Sequence, residues 1–319
     1  MTLSQRTARA RVPANKFKSF EEYGRFCDTM DSHQDSEDFT GIPQLYKDIL
    51  LECEAEVKIN QIAKCLTELK SYLSQINIDT SANNYKLLLR RNGKHYSFSE
   101  HLEGLILSLL SSQRDWAVIE NNREKINNIF GNYDKEYLKT VPSEYLITSL
   151  TDIKCGNRNI KKQMSQLNKN ILILEKIELE YGSLDAFVVS EPAYNIAKKL
   201  SNKKSIFKLY CVGNALAWEY LRNVGIDGIK PDVHVKRFLG RNRVGFSKKE
   251  CATEDEVYRQ ACKLSELTGL TLTEIDSIIW NYCAKSSANL CEAHPKCDSC
   301  SISKFCNYPC KDIIHKLNR

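Results

Sequence analysis

The chain has 319 residues, thirteen of them cysteines, and carries 46 lysines and arginines against 40 acidic side chains, a net charge of +6. A chain of this length can build roughly two or three hydrophobic cores, so it needs no disulfide staples and its cysteines call for another explanation. No apolar run reaches the ~20 residues that span a bilayer, and the opening MTLSQRTARARVPANKF has no apolar signal core. These features speak against a membrane-spanning or secreted protein. The expectation is an intracellular one, in cytoplasm or nucleoid, or in nucleus or mitochondrion in a eukaryote, where thiols stay reduced. The first twenty residues are basic and free of acids, as mitochondrial transit peptides are. The positive charge suits a polyanionic partner, although many proteins without one are as basic.

In chain order, the acid-rich DSHQDSEDFTG at 31–41 reads as a linker. Residues 44–77 then place Leu45, Ile49, Val57, Ile62, Leu66, Leu69 and Leu73 mostly three or four apart, the pattern of one or two amphipathic helices. From Ser99 the pattern SEHLEGLILSLLSSQRDW predicts a helix buried on most sides. Further helices are predicted at 116–130, 159–181, 192–201, 204–210, 214–223, 233–240, 254–268 and 272–285, the last opening on Thr271-x-x-Glu274, a capping-box pattern. No convincing strand and no internal repeat is present, so the fold class is all-α, built of short helices with short connections.

Residues 205–239, SIFKLYCVGNALAWEYLRNVGIDGIKPDVHVKRFL, read as two helices flanking CVGN. Gly213 can supply the positive φ of a tight turn. The second helix ends at Gly225, and Pro231-Asp232 opens another helix with Asp232 as N-cap. This segment resembles the helix-hairpin-helix and following aspartate of the endonuclease III superfamily of DNA glycosylases, also called HhH-GPD. The family hairpin, roughly L-P-G-V-G-x-K/x-T-A, falls on Leu209-Tyr210-Cys211-Val212-Gly213-Asn214-Ala215-Leu216-Ala217. Its aspartate motif, V-D-T-H or similar, falls on Pro231-Asp232-Val233-His234. Upstream, LLSSQRD at 109–115 resembles the L-S-x-Q-x-x-D element, and CGNRNIKKQ at 155–163 the G-x-x-x-x-K-A-x-x-I loop. The elements occur in the family's order over about residues 96–306.

Near the C-terminus, CEAHPKCDSCSISKFC sets four cysteines at C-x5-C-x2-C-x5-C. Thiols alone allow an iron-sulfur cluster, a tetrahedral zinc site or no metal. The resemblance favours the first, because many superfamily members hold a [4Fe-4S] cluster with C-x6-C-x2-C-x5-C; here the first gap is one residue shorter. The ligands implied are Cys291, Cys297, Cys300 and Cys306, with Cys283 and Cys310 as alternates and structural zinc as the other cofactor.

The resemblance also implies roles. Cleaving an N-glycosidic bond builds positive charge on the sugar, which a fixed carboxylate stabilises; Asp232 is the expected catalytic residue. Superfamily members that also nick the strand use a lysine amine as nucleophile, and that position is Ala215. A monofunctional, water-using glycosylase follows. The alternatives are a bifunctional glycosylase/lyase with another lysine, or a non-catalytic DNA-binding repair or defence accessory. The expected partner is double-stranded DNA with a flipped base, bound by a monomer and no membrane. The DNA-binding candidates are Gln113 as plug, Asn157, Arg158, Lys203, Lys204, Val212, Gly213, Asn214 and Lys236, with Trp116 and Trp218 as aromatic options for a base pocket. The expected architecture is two helical lobes, 113–225 with the hairpin and 96–112 plus 226–319 with the cluster, after an N-terminal region, 1–95, without a recognised element.

Overall fold

The computed structural model describes residues 12–32, 42–81 and 84–308, and every regular element in them is helical. The basic N-terminal stretch, most of the acidic linker, and Cys310 lie outside the described residues. The chain divides at Ala63–Lys64 into two units, inside one long helix. In the first unit a 3-10 turn at Ala14–Lys16 precedes α1 (Phe20–Ser32), and α2 (Gln44–Gln75) begins after Pro43. Phe26 and Tyr46 meet edge to face at 5.3 Å among Val12, Met30, Ile42, Ile49 and Leu50. Lys16 closes this small core by reaching Glu56 at 2.6 Å and Glu52 at 3.3 Å.

The second unit continues α2 and adds α3 (Tyr85–Arg91), α4 (Phe98–Leu110), α5 (Trp116–Glu120), α6 (Arg123–Ile129), α7 (Lys135–Thr140) and α8 (Ser143–Asp152). There follow α9 (Ile160–Ser165), α10 (Leu167–Tyr181), α11 (Leu184–Val189), α12 (Ala193–Ser201) and α13 (Asn214–Asn223). The last three are α14 (Val233–Phe238), α15 (Glu254–Thr268) and α16 (Leu272–Cys283). Side-chain caps explain half of these starts: Asp115, Asp134, Ser183 and Asp232 each accept a backbone N–H at a first turn. Ser97 with Glu100, and Thr253 with Glu256, form full capping boxes. Thr271 caps α16, but the box stays half made, because Glu274 turns away to Lys70 at 2.6 Å.

The central helix of this unit is α4, whose leucines and Ile106 are buried on all sides. Its most extensive helix contact is with α13. Gly104 makes that approach feasible: a Cβ there would come within 3.1 Å of Val224 and 3.2 Å of Asn223. One core runs from Tyr96 to Ile226 through α4 to α13, so residues 96–112 pack with the hairpin-bearing helices rather than apart from them. The apolar character of α4 on every side is the reason, since a helix of that kind belongs inside a core. From Lys64 onward α2 buries Leu66, Leu69 and Leu73 completely, sets Tyr72 edge to face with Tyr282 at 5.9 Å, and pairs Glu68 with Lys304 at 3.0 Å.

Other expectations also shift. The helix predicted over 116–130 breaks at Asn121–Asn122, and that over 159–181 at Gln166. The helix predicted over 204–210 is absent: residues 202–213 are irregular turns, stitched by Asn170, which pairs with both the N–H and the carbonyl of Tyr210 at 2.6 and 3.1 Å. The left-handed residue of this turn is Cys211, with φ +60°, and Gly213 has φ −88°. A side chain thus stands where backbone sterics favour glycine. Replacing Cys211 by Gly is expected to raise stability by about 0.5–1 kcal/mol, measured as a higher Tm or urea midpoint.

A polar knot fastens α3 to this core. The Arg90 guanidinium donates to Asp185 and twice to the carbonyl of Val224, at 2.9 and 2.7 Å. His95 lies 3.1 Å from Asp185, while the buried His101 bonds Tyr220 at 2.7 Å and faces Asp185 at 3.5 Å. Burial pushes the Asp185 carboxyl up, but His101, Arg90 and His95 outweigh it and hold it well below its ordinary 3.8. A carboxylate depressed in the folded state stabilises the fold above its unfolded pKa and loses that contribution as pH falls through the folded value. Asp185→Asn is therefore expected to cost about 3–5 kcal/mol at pH 7 and to flatten the loss of stability below about pH 4, read from urea melts at several pH values.

Candidate active site

A cleft of about 1160 Å³ opens along α13. Ala215, Glu219, Arg222 and Asn223 are spaced by a helical turn or less, so one face of α13 lines it from end to end. Facing them are the 111–116 loop, Tyr85 and Lys86 at the start of α3, and Asp276 and Trp280 of α16. The floor is charged. Arg222 reaches Asp276 at 2.6 Å and Glu219 at 3.7 Å, and Lys230 reaches Glu219 at 3.2 Å while its backbone N–H donates to Asp276 at 2.9 Å. Burial raises the Glu219 carboxyl, yet Lys230 and Arg222 bring it below its ordinary value. Burial, opposed by Arg222 and reinforced by Asp232 and Glu219, pushes Asp276 up to about 6. Two cations thus hold two carboxylates beside a third, Asp232.

Asp232 and Gln113 both line this cleft. Asp232 is the N-cap of α14, and a single oxygen, Oδ1, accepts the N–H groups of His234 at 2.8 Å and Val235 at 3.0 Å. No donor among the described hydrogen bonds reaches Oδ2. The short helix and its two amides orient the carboxylate. Gln113 is exposed, with a left-handed φ of +55°, a conformation costly for a side-chain-bearing residue and common where a loop must present a group. Its neighbour Arg114 donates to the carbonyl of Lys154, so the 111–115 and 154–159 loops are tied together.

The remaining predicted DNA contacts divide. Arg158, Lys203 and Lys204 are exposed. Asn157 spends its amide internally, donating to the carbonyl of Leu109 at 2.9 Å and to Gln163 at 3.0 Å, and accepting from Asn159 at 2.8 Å; it shapes the loop. Lys236 pairs with Glu254 at 3.4 Å. In the hairpin, Val212 is buried, Gly213 is exposed, and α13 begins with no side-chain cap on its first amides. Lys208, which adjoins the hairpin turn, donates to the carbonyls of Leu209 and Val212 within it. Trp116 lines the cleft, under the Arg123 guanidinium at 5.7 Å. Trp218 does not: it is 2% exposed and stacks on Tyr258 at 5.7 Å, a core residue. The sequence carried no signal for Glu219, Arg222, Lys230 or Asp276, whose charges lie on separate elements and look solvated when read locally.

In the C-terminal loop Cys291 is buried, and Cys297, Cys300 and Cys306 are partly so. The Tyr282 hydroxyl donates to Cys300 Sγ at 3.1 Å. The thiols of Cys283 and Cys291 share a hydrogen bond, which pushes Cys283 up and holds Cys291 below its ordinary value. Burial pushes Cys306 up to about 11, with Cys291 and Cys300 adding to it, and raises Cys65 of α2 to about 12, with Glu68, Cys306 and Cys300 adding. Among the described residues no three cysteine, histidine or carboxylate side chains are gathered as a metal-binding group. The donor chemistry, four thiols from one loop with further cysteines around them, suits iron-sulfur or zinc ligation.

Among the described residues no helix is long and apolar enough to cross a membrane. No protein-family model matches the sequence, and no curated protein does. Solved structures do match. A non-covalent endonuclease III–DNA complex aligns with a TM-score of 0.52 at 19% identity, covering 80% of this chain and 98% of that one. The 8-oxoguanine glycosylase/lyase of Methanocaldococcus jannaschii, in complex with a 15mer DNA containing 8-oxoguanine, gives 0.49 at 19%, covering 71% and 98%. A second structure of the 8-oxoguanine DNA glycosylase from that organism gives 0.47 at 20%, covering 71% and 94%. The chain has the all-helical fold of endonuclease III.

Proposed function

We propose that the protein is a DNA glycosylase that hydrolyses the N-glycosidic bond of a damaged, mispaired or modified base, with Asp232 as the catalytic carboxylate and water as nucleophile. The observation that carries this reading is Asp232 itself: an N-cap carboxylate with one oxygen fixed by two amides, on the wall of a cleft large enough for an extruded nucleotide. As the bond to the base breaks, positive charge develops on the sugar, and a carboxylate already fixed on the wall of the cleft stabilises it without reorganising. The same Oδ2 can orient water and take its proton. By the resemblance the lysine position of the strand-nicking members is Ala215, which lines the cleft and carries no amine. Gln113 is the plug for the gap in the duplex, and the hairpin with Val212, Gly213 and Asn214, together with Arg158, Lys203, Lys204 and Lys236, holds the backbone.

A second reading rests on the lysines Lys86, Lys230 and Lys285, which also line the cleft. Any of them acting as a nucleophile would add strand-nicking activity. Lys230 is the least suited, since burial opposes its charge but Glu219 and Asp232 keep its ammonium protonated above the ordinary range.

Single-turnover base release from a panel of lesion-bearing duplexes tests the mechanism. The wild type is expected to give breaks only after alkali, and Asp232→Asn to slow release by at least about 100-fold with DNA affinity kept. Breaks without alkali, with a borohydride-trapped protein–DNA adduct, would install the lyase reading. Binding without release across the panel would leave a DNA-binding accessory.

We further propose that Cys291, Cys297, Cys300 and Cys306 hold a [4Fe-4S] cluster that organises the C-terminal loop. Anaerobically purified protein is expected to be brown, with about four irons and four sulfides per chain; colourless protein with one zinc would replace the cluster by structural zinc.

A further inference from the structure

Residues 84–96 precede every element that resembles the superfamily, yet they reach the cleft. Tyr85, 65% exposed, and Lys86 both line it. They do so at a definite end. Lys86 and Arg123 both approach Glu103, at 3.9 and 3.5 Å, and Arg123 lies over Trp116. The carbonyl of Val224, which follows the last turn of α13, receives Arg90 from α3. Tyr85, Lys86, Trp116 and Arg123 are therefore grouped where α13 ends, two helical turns from Ala215.

The placement is built. Tyr96 donates to the carbonyl of Lys86 at 2.8 Å. Gly225, in the left-handed region at φ +75°, lets that carbonyl pass so near that a Cβ would lie 2.5 Å from it. Arg90, anchored on Asp185, fixes the other end of α3. Three separate devices hold a seven-residue helix whose first side chain is a large exposed aromatic ring on the wall of a cleft. A ring left uncovered at that cost in order has a use for its face, and a planar aromatic base is the ligand whose shape matches it.

We propose that α3 is the specificity wall of the base-binding end of the cleft, and that Tyr85 stacks on the extruded base. The inference rests on the glycosylase reading and adds a residue to it. It is tested with the full chain on two probes: the panel duplex from which the wild type releases a base, and a duplex carrying tetrahydrofuran, an abasic analogue with no base to stack. Tyr85→Ala is expected to lower single-turnover release by about 5- to 150-fold while leaving affinity for the tetrahydrofuran duplex and the thermal midpoint unchanged, and Tyr85→Phe to restore release. Equal losses on both probes would make Tyr85 a contact to the DNA backbone, and release unchanged in Tyr85→Ala would remove it from recognition; either overturns the proposal with the glycosylase reading intact. A wild type that releases no base from any duplex would overturn the glycosylase reading and this one with it.

Discussion

The close approach of α4 to α13 is the constraint on which the rest of the molecule depends. Gly104 lets the side chains of Tyr220, Asn223 and Val224 close directly onto α4, and both ends of the contact are then used. Beyond the C-terminus of α4 lies the loop with Gln113; before the N-terminus of α13 lies the hairpin, and after its C-terminus the chain turns at Gly225 toward Asp232. Groups separated by more than a hundred residues share one cleft because two rods are fixed side by side. Small relative shifts of those rods would move every group at once, and the buried contacts of Leu102, Leu105, Leu109, Ala217 and Leu221 resist them.

The cleft is also electrically arranged. Lys230 and Arg222 are shared between Glu219 and Asp276 in a region largely withdrawn from water. An ion network of that kind contributes little net stability, since desolvation consumes most of its attraction. Its effect is geometric: it fixes the loop that carries Asp232 relative to α13 and α16. A carboxylate that must act on a positive sugar gains from such a rigid, pre-oriented setting.

Much of this was legible in the sequence. The helical class, the starts of α13 and α14 and the capping role of Asp232 follow from local rules of periodicity and N-capping. What was hidden is what depends on partners far along the chain. Residues 204–210 have an apolar pattern consistent with a helix, but Asn170 from another helix claims the backbone of Tyr210 and Lys208 claims the carbonyls of the turn. Asn157, a DNA-contact candidate by resemblance, spends its amide on acceptors 48 residues upstream and six downstream. The four charges under the cleft were invisible for the same reason.

The Arg90 knot changes where the foldable part of this protein begins. Judged by resemblance alone, a minimal version would start near residue 96. Such a fragment would lose the guanidinium between Asp185 and Val224, leaving the carboxylate with His101 as its remaining partner. It would also lack the leucines of α2 and the partners of Lys304, Glu274 and Tyr282. The motifs mark the part of the chain that resembles its relatives, whereas the packed structure of the second unit extends back to residue 64, and residues 64–95 are part of that scaffold rather than an attachment to it.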